Sequence, residues 1–112
     1  MTPDHLSATF AALSDPTRRG ILAQIAKGET TLKGLAAPYD MSQAAIAKHL
    51  KVLEAAGLVS RGKDAQYRPC RLEAAPLKDA YGWIGEYAQF WGRSLDAMED
   101  YLNHIQGKTP SN

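Results

Sequence analysis

A chain of 112 residues, 45% hydrophobic and 22% charged, has the length and balance of one globular domain and excludes wholesale disorder. No apolar run approaches the roughly 20 residues of a membrane helix, and Met1 to His5 lack a basic stretch leading into an apolar one, so a cytoplasmic location without membrane contact is expected. The lone Cys70 excludes an intrachain disulfide and a cysteine-cluster zinc site.

The net charge of +1 hides an asymmetry. Residues 41–71 carry Lys48, Lys51, Arg61, Lys63, Arg68 and Arg71 against Glu54 and Asp64, a net +4, whereas residues 72–112 sum to −3. A basic block followed by an acidic segment suggests a surface for a polyanion placed away from the other end of the molecule.

In chain order, His5 to Leu13 reads as a first helix with Leu6, Phe10 and Leu13 at helical spacing. Asp15 caps a second helix that has Pro16 in its first turn, presents Ile21, Leu22 and Ile25, and stops at Gly28. Arg18 and Arg19 lie in that first turn, where the helix dipole disfavours cations, so a phosphate or a carboxylate is expected to compensate them; Asp15 and the acidic C-terminal segment could supply the carboxylate. Thr30 or Thr31 caps a short third helix ending near Pro38, and Ser42 caps a fourth running to about Ala56, closed by Gly57. Leu58 to Arg61 and Tyr67 to Leu72 then read as two short strands about a polar turn. From Pro76 to about Gln106 the pattern predicts one long helix. The expected fold is mainly α with a two-stranded β-hairpin: a winged helix-turn-helix over residues 1–106, including a C-terminal dimerisation helix at about 76–106, followed by a flexible tail over 107–112.

The fourth helix carries the candidate site. Ile46, Leu50 and Leu53 share one side, while Ala44, Ala47, Lys48, Lys51 and Ala55 point the other way and Ser42 and Gln43 form the tip. Alanines let a backbone approach a groove, lysines reach phosphates, and a glutamine can pair with an adenine edge. Arg61, Lys63, Gln66 and Arg68 cluster in the following hairpin, where a wing would meet phosphates or a minor groove. Double-stranded DNA is therefore the expected partner. The alternative is a winged-helix module that binds protein without DNA, against which the intact basic face argues. A small enzyme fails for want of a paired acid, base and nucleophile.

The last helix reads as an interface. Leu77, Tyr81, Ile84, Ala88, Trp91, Leu95, Met98, Leu102 and Ile105 form an unbroken heptad seam, with Trp83, Tyr87 and Phe90 beside it. One stripe is expected to pack within the protomer and the other against a second copy, with Leu6 and Phe10 joining that interface. Gly85 and Gly92 flank the seam as though another helix approached closely.

The run Phe10 to Leu22 (FAALSDPTRRGIL) and the run Met41 to Val59 (MSQAAIAKHLKVLEAAGLV) resemble the opening signature and recognition helix of the ArsR/SmtB winged-helix regulators. The resemblance spans about residues 6–105. It implies a homodimeric DNA-binding repressor on a pseudo-palindromic operator, with Ser42, Gln43, Ala44, Lys48 and Lys51 at the DNA. Metal-sensing members carry a Cys-x-Cys pair in the third helix, and Thr31 to Ala37 has none; of the Asp and His site on the last helix only His104 is present. His5, His49, His104 and Cys70 are scattered, so no metal or other cofactor is expected, and the chain is similar to the branch without a metal site typified by SdpR. His49 is expected to hydrogen-bond at the edge of the helix-turn-helix core. Cys70 reads as a buried structural thiol, while Arg68 and Arg71 keep a redox role open. The effector, small-molecule or redox, is not identified by the sequence.

Overall fold

The computed structural model describes residues 4–63 and 68–106. In chain order they form helices α1 (His5–Leu13), α2 (Pro16–Ala26), α3 (Leu32–Ala36) and α4 (Gln43–Ala55), strands β1 (Val59–Arg61) and β2 (Cys70–Leu72), and helices α5 (Ala75–Gly85) and α6 (Gln89–Ile105). This is the expected winged helix-turn-helix.

The first four helices each start on a side-chain oxygen that takes an otherwise free amide. Asp4 accepts from Ser7 N (2.6 Å), Asp15 from Arg18 N (3.0 Å), Thr31 from Gly34 N (3.2 Å) and Ser42 from Ala45 N (3.1 Å). Thr31, of the two candidate threonines, is thus the cap of α3. Gly57, at φ +78°, ends α4 in the left-handed region that glycine adopts without steric cost.

Ile21, Leu22 and Ile25 of α2, Leu35 of α3, and Ile46, Leu50 and Leu53 of α4 form one buried cluster with Ala12, Leu58, Val59 and Cys70. α2 is the hub, in contact with α1, α4 and β2, while α3 packs on α4. Tyr39, in the turn between α3 and α4, lies against α2 at Gly20, where a Cβ would fall 2.2 Å from its Oη. A bare backbone there lets the ring seat the helix-turn-helix corner.

The hairpin pairs β1 and β2 antiparallel, with Val59 opposite Leu72 and Arg61 opposite Cys70. Both strands are three residues long, shorter than expected. Tyr67, read as the start of the second strand, lies outside the described residues. A further bridge joins Thr30 to Cys70, with Cys70 N donating to the Thr30 carbonyl at 2.6 Å. It ties the wing back to the segment between α2 and α3.

The fold divides after Ala80 into two compact units, with α5 running across the division. The single helix expected over 76–106 is in two parts. At Glu86–Ala88 the hydrogen bonds tighten: Glu86 N donates to Trp83 O, Tyr87 N to Ile84 O and Ala88 N to Gly85 O, all three residues back. Gly82 and Gly85 immediately precede this turn, and each weakens a helix by about 1 kcal/mol relative to alanine. The aromatic stripe spans it, with ring centroids 5.2 Å apart for Trp83 and Tyr87 and 6.3 Å for Tyr87 and Phe90. The long C-terminal helix is therefore α6, of 17 residues. Leu77, Tyr81 and Ile84 lie on α5, Ala88 caps α6, and the remaining five seam residues lie on α6.

Candidate nucleic-acid interface

α4 turns Ile46, Leu50 and Leu53 into the core, all at most 1% exposed. At about 100° per residue the opposite arc is Ala44, Lys48, Lys51 and Ala55, and all four are exposed. Ala47 is half-buried on one flank and His49 half-buried on the other. Ser42 and Gln43 are exposed at the N-terminal tip. Ser42 Oγ already caps the helix, so its hydroxyl proton is the group left to bond outward.

The wing is organised differently from expectation in one respect. Lys63 and Arg68 are exposed, but Arg61 is half-buried. Arg61 Nη2 donates to the Arg68 carbonyl at 3.2 Å, and Nε is buried with no hydrogen-bond partner among the described residues. Its guanidinium is committed to the hairpin, bracing a backbone that holds Arg68 at the left-handed φ of 37°. Arg71 is exposed and pairs with Glu29. Gln66 lies outside the described residues.

Among the described residues neither Arg18 nor Arg19 forms a salt bridge with a carboxylate, although the Arg18 cation helps to hold the Asp15 carboxyl below its ordinary range. Arg18 Nε donates to the Ala12 carbonyl (2.7 Å) and Nη2 to that of Ala11 (3.1 Å), while Arg19 Nη1 donates to Leu13 (2.7 Å). Those carbonyls end α1, the negative pole of its dipole, so two cations misplaced for α2 are well placed for α1. A helix-by-helix reading of the sequence cannot see that pairing, because it joins two elements across a turn.

Cys70 is completely buried, as expected. Burial pushes its thiol up from the ordinary value, with the Arg61 cation pulling the other way. Cys70 should therefore react slowly with iodoacetamide in the native protein and rapidly in denaturant. Equal rates in the two conditions would contradict its placement.

Among the described residues no group of three or more His, Cys, Asp or Glu converges as a metal site would require. A cavity of about 120 Å³ lies between His5, Leu6, Thr9, Ala75, Pro76 and Asp79. Ligand pockets usually run to about 300–1,000 Å³. Phe10 is half-buried. On α5 and α6 the proposed contact residues are largely uncovered in the single chain: Tyr81 is 78% exposed, and Ile84, Trp91, Leu95, Met98 and Leu102 are exposed as well. Ala88 is half-buried. Leu77, at the start of the seam, packs against the buried cluster, whereas Trp83, Tyr87 and Phe90 of the second stripe are exposed. A Cβ at Gly85 or Gly92 would meet nothing within 4 Å among the described residues. No helix among the described residues is long and apolar enough to cross a membrane.

Comparison with known proteins agrees with this architecture. Residues 15–61 match the family described as bacterial regulatory protein, arsR family. The HTH-type transcriptional regulator YuzN of Bacillus subtilis (strain 168) is 45% identical over 85 residues, covering 69% of this chain and 92% of that protein. The transcriptional repressor SdpR of the same organism is 32% identical over 79 residues, covering 70% and 88%. Among solved structures, an ArsR-like transcriptional regulator from Rhodococcus sp. RHA1 superposes with a TM-score of 0.67 at 34% identity, covering 87% of this chain and 92% of that one. A homodimeric winged helix-turn-helix DNA-binding domain from Mycobacterium bovis shares the fold, with a TM-score of 0.59 at 21% identity and coverage of 90% and 84%.

Proposed function

The chain belongs to the ArsR family of bacterial transcriptional regulators, and from that premise we propose that it works in the cytoplasm as a homodimeric repressor that binds a pseudo-palindromic operator. The observation that carries this reading is the outer arc of α4. It presents small residues and lysines, with a glutamine at the tip, on a helix whose other side is fixed in the core. Ala44 and Ala47 allow the helix to enter a major groove, Gln43 faces base edges, and Ser42, Lys48 and Lys51 meet the backbone. Lys63 and Arg68 reach phosphates from the wing that Arg61 braces.

A dimer places two such helices about 34 Å apart, one turn of the duplex. The exposed apolar residues of α5 and α6, together with Leu6 and Phe10, supply its interface. SdpR is named as a repressor and the M. bovis domain as a homodimer, and both support this reading by analogy. The function is regulatory rather than enzymatic.

Two substitutions separate base contact from phosphate contact. Gln43→Ala should relax preference at one base pair by about 1–3 kcal/mol. Lys51→Ala should weaken all sequences alike and lower the salt slope by about one unit. Titrations against an operator duplex and a scrambled duplex at several salt concentrations measure both. Unchanged affinity in both variants would overturn the assignment.

A further inference from the structure

One polar cluster in the helix-turn-helix unit is not absorbed by DNA contact. Arg18 binds the end of α1 through two of its nitrogens, as described above, and its third faces α4. Arg18 Nη1 lies 3.4 Å from Nδ1 of His49. A guanidinium has no acceptor, so a hydrogen bond between the two runs from Arg18 to the imidazole Nδ1. Asp15, the cap of α2, places Oδ2 3.8 Å from the same Nδ1 and also accepts from the Arg18 backbone amide. That amide also holds the Asp15 carboxyl below its ordinary range. Asp15, the cap of α2, and Arg18, in its first turn, are the charged groups that face His49 among the described residues. The His49 and Asp15 side chains are only 21% and 33% exposed.

A planar fork that must serve two carbonyls and one ring at once fixes their mutual placement, which a lysine ammonium on a flexible stem does not. Its three partners lie on α1 and on the recognition helix. His49 sits on the flank of α4, between the core side and the outer arc.

We propose that Arg18 and His49 are positioning residues for DNA recognition, with the Arg18 guanidinium holding the end of α1 and the flank of α4 in one register. The inference rests on the DNA-binding reading of α4. Neither residue touches the duplex; both set the angle at which Gln43 and the lysines meet it. Because α1 carries Leu6 and Phe10, the same link joins the proposed dimer contact to the recognition helix. Arg19 serves as the internal control, because its guanidinium also caps α1 but bonds to Leu13 and has no hydrogen bond to α4 among the described residues.

The test measures preference for a duplex selected by the wild-type protein from a random pool over a scrambled duplex of equal length. Arg18→Lys and His49→Leu should each cut that preference by about tenfold, the scale of coupling between contacting residues. Affinity for the scrambled duplex should stay unchanged, since Arg18→Lys keeps the cation and neither side chain touches a phosphate in this proposal. The double variant should be no worse than the worse single. His49→Asn, whose Oδ1 can accept where Nδ1 does, should recover most of the preference, and Arg19→Lys should keep all of it. Circular dichroism confirms folding. Should Arg18→Lys not fold, the comparison of His49→Leu with His49→Asn decides alone, because it leaves the α1 cap intact. Additive losses, an asparagine no better than leucine, or equal losses in Arg19→Lys would overturn the proposal. A wild-type protein that selects no duplex would instead overturn the DNA-binding reading itself, and this inference with it.

Discussion

Leu95→Glu should dissociate the dimer and lower operator affinity by about 100-fold or more, further than any single lysine substitution. Leu95 sits mid-way along the apolar face of α6, between Trp91 on one side and Met98, Leu102 and Ile105 on the other. It is 58% exposed, and its neighbours on that face are exposed too among the described residues. A partner helix would remove that area from water. A carboxylate placed there would be desolvated without a counter-ion, a penalty of several kcal/mol unless it protonates. Two linked half-sites would then become two separate weak ones, and the effective concentration that joins them would be lost. The basic residues of α4 and the wing are untouched by the substitution, so lost binding reports lost association. Sedimentation velocity beside the DNA titration measures both quantities, with circular dichroism as the check on folding. A Leu95→Glu protein that stays dimeric and binds normally would mean that the interface lies elsewhere.

The parts of this fold that the sequence discloses are those written in short range. Asp15 followed by Pro16, and Ser42 ahead of an amphipathic run, are caps whose hydrogen bonds close within three residues, and each stands where expected. The inner face of α4 follows from period alone. What the sequence withholds depends on partners far along the chain. The bridge from Thr30 to Cys70, the carbonyl partners of Arg18 and Arg19, and the inward turn of Arg61 belong to this class. The break at Glu86–Ala88 is hidden for another reason. The tightened turn keeps its residues close to helical phase, with Ala88 at φ −56° and ψ −31°, so the apolar spacing runs through it undisturbed. Periodicity records which face is apolar; it does not record whether an amide bonds three or four residues back. The candidate site divides the same way. The tip and outer arc of α4 are legible from the sequence, whereas the different duties of Arg61, Lys63 and Arg68 emerge only when the hairpin closes.

The recognition helix also makes a stability claim that can be separated from its DNA contacts. Leu50 is 1% exposed and belongs to the buried cluster that α4 shares with Ile21, Leu22 and Ile25 of α2. Leu50→Ala should cost about 2–5 kcal/mol, the lost transfer energy plus the cavity left beneath the helix. For a chain of this size that is a melting midpoint lowered by roughly 10–20 °C, compared at equal protein concentration so that association contributes equally. Well below the new midpoint, operator affinity should remain within about threefold of wild type, because no side chain of the outer arc has changed and a core that relaxes only partly moves its backbone little. Gln43→Ala should give the opposite pattern, an unchanged melt with weakened discrimination, since Gln43 is exposed. Thermal melts and titrations on the two variants therefore test the two faces of one helix independently. A Leu50→Ala protein that melts like the wild type would place this side of α4 outside the core and undo the assignment of its outer arc to DNA.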